Sequence, residues 1–149
     1  MSIIITHSDI AAFLKCRRQW RWSWLEDRNP PEPVTGYFAV GHRVHKVLDG
    51  FYSGGGDPFE IHEKLAAEAI ELVESGNSPN RWDSQHIYDD VVVSRNCVLV
   101  YFDWMERTGA DHGMLTAGVE ETIEVPILGG DVILRGKTDL RQQWEDTGY

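Results

Sequence analysis

Around residue 113 the apolar pattern of the chain changes period, and that change constrains the fold more than any other feature. Before it, apolar residues recur at helical spacing; after it, they recur at every second position. The first pattern lays a stripe along a helix, and the second covers one face of a strand. The chain thus divides into a helical part, residues 1–107, and the opening of a sheet, residues 115–149. This is an α/β (α+β) plan in which N-terminal helices pack on a central mixed sheet. Its 149 residues suit one domain able to bury a core.

Ser8 and Asp9 offer caps for a first helix that carries Ile10, Phe13 and Leu14 and continues through "CRRQWRWSWLE". "DRNPPEP" (27–33) ends it, because prolines cannot continue a helix. The second helix covers "GYFAVGHRVHKVLDGFY" (36–52), with Phe38, Val44, Val47, Leu48 and Phe51 available for burial. "SGGGDP" (53–58) lacks the Gly-Lys-Ser/Thr ending of a phosphate-binding loop and reads as a turn. A third helix runs through Leu65, Ala69, Leu72 and Val73 to "SGNSPN" (75–80). The fourth, about 83–107, carries Ile87, Val91, Val98, Tyr101, Phe102 and Met105. "VEETIEVPI" (119–127) then forms a strand, Gly129-Gly130 a hairpin turn, and 131–144 the returning strand. "EDTG" (145–148) reads as a further turn and Tyr149 as the start of another strand, so the sheet is expected to be incomplete at its C-terminus.

No run of 18 apolar residues and no basic-then-apolar leader occurs, which predicts a cytoplasmic protein with no membrane partner. Cys16 and Cys97 form no CxxC and read as free or packed thiols. Net charge is −10, yet its distribution is uneven. Residues 1–46 hold seven Lys or Arg against four Asp or Glu, and residues 47–149 seven against twenty, giving +3 and −13. The basic N-terminal third can present Arg17, Arg18 and Arg21 to a polyanion such as DNA. Trp20, Trp22 and Trp24 cannot share one helix face, since alternating positions diverge by about 200°. A helix buried on several sides is the favoured reading, and base stacking beside the arginines is the other.

Two short patterns carry chemistry. "GHRVH" (41–45) places His45 four residues after Gly41 on one helix face, and "LRGKTDL" (134–140) places Asp139 on a strand three residues after Gly136. Together with the opening "SDIAAFLKCRRQWRWSWLE", this order resembles the RecB-like branch of the PD-(D/E)XK nuclease superfamily, whose relatives include exonucleases and CRISPR-adaptation nucleases. The resemblance implies a restriction-endonuclease-like fold and a DNA nuclease of exonuclease or recombination/repair type. It implies Mg²⁺ or Mn²⁺ held by His45 and Asp139, with Glu120 at an acidic position on the preceding strand, and Asp139 as a catalytic group. Hard divalent ions suit such oxygen-rich sites and leave positions for phosphate and water. Gly41 would then let metal or neighbouring backbone approach the helix.

In this branch a following strand supplies Asp/Glu-x-Lys. None of the four lysines, Lys15, Lys46, Lys64 and Lys137, stands two residues after an acidic residue. The resemblance therefore implies either a chain truncated before that element or a member without catalysis, binding DNA, a protein partner or a second copy. Some RecB-like nucleases hold a 4Fe–4S cluster through an N-terminal cysteine, a role Cys16 could take, but a packed thiol is the favoured reading for this chain. "HEKLA" (62–66) begins like a zinc-protease motif and fails, because Ala66 stands where the second histidine belongs.

Overall fold

The first helix does not begin at Ser8. Thr6 is its N-cap: its Oγ1 accepts from the Asp9 N–H at 3.1 Å, and its own N–H donates to the Asp9 carboxylate at 2.7 Å. This reciprocal capping box satisfies two amides that a helix start leaves orphaned. In the computed structural model, which describes residues 3–29, 34–78 and 83–144, the helix α1 is His7–Lys15. It is preceded by a strand that the period analysis did not anticipate, β1, Ile3–Thr6.

The expected continuous first helix is broken at Cys16, whose backbone is extended. A second short helix, α2, follows at Arg17–Trp20, and one π-helical turn at Arg21–Leu25. Neither contains a buried residue, which corrects the expectation of a helix covered on several sides. Cys16 is exposed rather than packed, and its sulfur caps α2 by accepting from the Gln19 N–H at 3.5 Å. Residues 30–33, 79–80 and 145–149, on which the proline break, part of the "SGNSPN" turn and the last hairpin were read, lie outside the described residues.

Three longer helices follow: α3, Tyr37–Gly54; α4, Pro58–Glu74; and α5, Asp83–Thr108. Gly36, at φ 89°, opens α3 in a conformation that only glycine adopts easily, and its N–H donates to Asp90 at 2.6 Å. Asp57 caps α4 by accepting from the Phe59 and Glu60 amides, with Pro58 at the first helical position. Each of the three helices packs on the other two. Val47, Ala66, Val73, Ile87 and Val98 are buried there, while Phe38 is exposed, contrary to its expected burial. Ala66 thus takes a core position in the failed zinc motif. Gly50 allows α3 and α4 to approach, since a Cβ there would stand 2.9 Å from Ile61 Cδ1.

Past residue 113 come β2, Met114–Ile127, the turn Leu128–Gly130 and β3, Val132–Trp144. β2 starts five residues earlier than its alternation suggested. Sheet order is β1–β3–β2, with β1 parallel to β3 in the register Ile3–Val132 to Thr6–Arg135. The architecture is α+β with a mixed sheet. Two compact units are distinguished: Met1–Pro31 with Glu120–Thr138, and Glu32–Val119 with Asp139–Tyr149. No helix among the described residues is long and apolar enough to cross a membrane.

Candidate metal centre

In the helical unit, α3 turns Arg43 and Val47 inward and His45 outward, because residues two apart on a helix diverge by about 200°. His45 Nδ1 stands 3.8 Å from Asp139 Oδ2, and both side chains are exposed. Asp139 reaches this position from β3. With no ion, the two form a weak ion pair whenever the imidazole is protonated. A divalent ion sits about 2.0–2.1 Å from each ligand atom, so two ligands of one ion can stand up to about 4.2 Å apart. The separation and the imidazole–carboxylate donor set therefore fit a shared ion.

Gly41, one turn before His45, faces open space. A Cβ built on it meets nothing within 4 Å, so among the described residues no neighbouring backbone approaches α3 there, which leaves that face of the helix open. Close approach on this helix occurs at Gly50.

Glu120 lies in the other unit. It adopts φ 53° in the middle of β2, a left-handed conformation that costs a non-glycine residue on the order of 1 kcal/mol or more and re-aims its side chain. Its carboxylate is in contact with the Lys137 ammonium. Arg17 lies over the Phe13 ring at 5.2 Å and Arg18 over the Trp22 ring at 4.6 Å. Arg21 Nε donates to Glu26 at 2.7 Å, and Arg28 Nε pairs with the other oxygen of Glu26 at 3.0 Å. Arg28 escaped the sequence reading because it lies past the expected helix end, and Glu26 because nothing local marks the last residue of that run as a partner of arginines.

The helical unit also holds a polar cluster that the sequence did not reveal. Arg43, His62 and Ser94 are buried together. Ser94 Oγ donates to the Val91 carbonyl at 3.0 Å, accepts from Arg43 Nη1 at 3.0 Å, and stands 2.9 Å from His62 Nε2. Which of Ser94 Oγ and His62 Nε2 donates depends on the imidazole tautomer. His62 Nδ1 is buried and has no hydrogen-bond partner among the described residues. Burial, then the charges of Arg43 and Arg95, hold the His62 imidazole below its usual pKa, with Glu63 opposing. Burial likewise lowers Arg43, with Asp90 opposing. Further along α3, burial and hydrogen bonds to Asp111 and Tyr101 push the Tyr52 phenol well above its usual range, so it stays a neutral donor to Asp111.

The family model of the PD-(D/E)XK nuclease superfamily matches residues 4–148. The chain belongs to the PD-(D/E)XK nuclease superfamily. No curated protein and no solved structure gives a match. Within this superfamily the α+β order and the facing His45–Asp139 pair suit a divalent-metal nuclease fold, whereas the Asp/Glu-x-Lys element does not occur in these 149 residues.

Proposed function

We propose that this PD-(D/E)XK chain serves metal-dependent hydrolysis of DNA phosphodiesters, in the manner of the RecB-like exonuclease and recombination/repair branch. The observation that carries the reading is the 3.8 Å approach of His45 and Asp139 within a superfamily match over residues 4–148. His45 and Asp139 would hold Mg²⁺ or Mn²⁺. The ion's contribution is to orient water and offset charge on the scissile phosphate. Asp139 supplies the hard oxygen that favours these ions, and His45 fixes its side of the site from a rigid helix. Arg17, Arg18 and Arg21 offer positive charge to the DNA backbone.

The missing lysine favours a second reading for the 149 residues themselves, a DNA-binding or protein-binding module with no turnover. Groups that position or activate water are typically worth about 10²–10⁴-fold in rate. We therefore expect weak Mn²⁺ binding by titration calorimetry, lost in His45→Ala and in Asp139→Ala. Cleavage of DNA by the purified chain should remain at background. Tight metal binding that survives both substitutions would place the site elsewhere. Robust cleavage abolished by Asp139→Ala would show another group acting for the lysine and exclude the module reading.

A further inference from the structure

We infer that the arginine-lined depression following α1 is a phosphodiester-binding site whose resting anion is Glu26. Its walls are Arg17, Arg18, Arg21, Trp22, Glu26 and Arg28, all within the first unit. Glu26 behaves there as a phosphate stand-in. One of its oxygens accepts from Arg21 Nε at 2.7 Å and the other pairs with Arg28 Nε at 3.0 Å, a cationic fork of two guanidinium groups whose charge-assisted bonds a phosphate could take in the same way. Arg18 is held over Trp22 by cation–π contact at 4.6 Å, and among the described residues no carboxylate pairs with it. Four arginines and one glutamate thus line this depression in a protein of net charge −10, and two of the four hold the glutamate.

The Arg21 and Arg28 side chains are 68% and 69% exposed, so their pairs with Glu26 contribute little and are screened by salt. An arriving phosphate can take the same N–H donors while Glu26 swings into water. The ligand this geometry suits is a polynucleotide rather than a free anion. Trp22 and Trp24 are 40% and 43% exposed, which sets aromatic faces beside the cationic fork. Alternating phosphate and base along one strand matches alternating guanidinium and ring. The assignment rests on the proposed function for its choice of DNA, and adds Arg28 as a ligand and Glu26 as a built-in competitor.

Fluorescence anisotropy with a labelled DNA strand tests this on the intact 149-residue chain, in chelator, so that metal binding and cleavage play no part. Glu26→Gln should bind about five-fold more tightly, since it removes a negative charge from beside the phosphate. Arg21→Ala and Arg28→Ala should each bind about five-fold more weakly and lower the slope of log affinity against log salt by about one. Glu124→Gln, which removes the same charge from the pair with Arg135 on the hairpin, should leave affinity unchanged. An unchanged or weakened Glu26→Gln protein, or an equal gain from Glu124→Gln, would overturn the competitor role. Unchanged salt slopes in both arginine variants would overturn the site. Failure of the His45–Asp139 reading would show in metal titration instead, with these affinities unaffected.

Discussion

The three-helix unit and the unit built on β1, α1 and the hairpin use the same residue types to opposite effect. Between α3, α4 and α5, five apolar side chains are buried, and even an arginine and a histidine are drawn inside. In the described residues of the other unit the one buried side chain is Asp9, held by the capping box. Ile3, Ile4, Ile10, Phe13, Leu14, Ile123 and Val125 are all exposed there. Helical stripes generate a core as soon as three helices meet. The other unit is held instead by local hydrogen bonds and by strand pairing. Every residue proposed to meet metal or DNA stands at an exposed position, so the buried polar cluster is a matter of stability and the ligand chemistry belongs to the surface.

The sharpest way to break this contrast is one substitution made in both places. Ile87 is fully buried, and Ile87→Ala should cost about 2–5 kcal/mol, the range for truncating a packed isoleucine. Ile3 is 64% exposed, and Ile3→Ala should cost well under about 1 kcal/mol. Urea denaturation followed by circular dichroism reads both. Equal losses would mean that the exposed strand face is covered in solution.

A second test uses pH and separates the buried cluster from the surface. His62 is neutral inside and has its pKa held below the usual value. Unfolding in acid therefore takes up a proton, so stability is full above pH of about 6.5 and falls as pH drops below it. The loss is about 1.4 kcal/mol per pH unit until the folded pKa is reached. His62→Gln keeps an N–H near the Ser94 hydroxyl without a titrating ring, and should flatten the acid side of the profile by that amount. An unchanged profile would show that His62 carries its proton when folded.

How much of this was legible in the sequence follows from the range of the interactions. The α3, α4 and α5 helices were readable because their apolar stripes repeat every three or four residues. β1 was not, since "IIIT" is short and its partner, Val132–Arg135, lies at the far end of the chain. Thr6 was overlooked as a cap although Thr6 and Asp9 have capping-box spacing, because Ser8 and Asp9 stand nearer the apolar run. Arg43, His62 and Ser94 come from three helices, and nothing local marks an arginine as inward-facing. His45 and Asp139 were found through motif order rather than periodicity, and their approach is a long-range contact that spacing alone could not supply.

The smallest expected effect lies at the break between α1 and α2, where the surface unit depends on a single cap. The Cys16 sulfur is a weak acceptor, and its 3.5 Å contact with the Gln19 amide is long. Serine is among the preferred N-cap residues and accepts at shorter range. Cys16→Ser should therefore stabilise the chain by about 0.5 kcal/mol and slow hydrogen exchange at the Gln19 amide, whereas Cys16→Ala should cost a few tenths. A cluster-ligand role predicts the reverse for serine. The protein purified without oxygen would show visible iron–sulfur absorbance, and Cys16→Ser would lose both that absorbance and stability. A stabilised, colourless Cys16→Ser protein would assign Cys16 to helix capping, and would place the first unit's order in its hydrogen bonds rather than in a buried core.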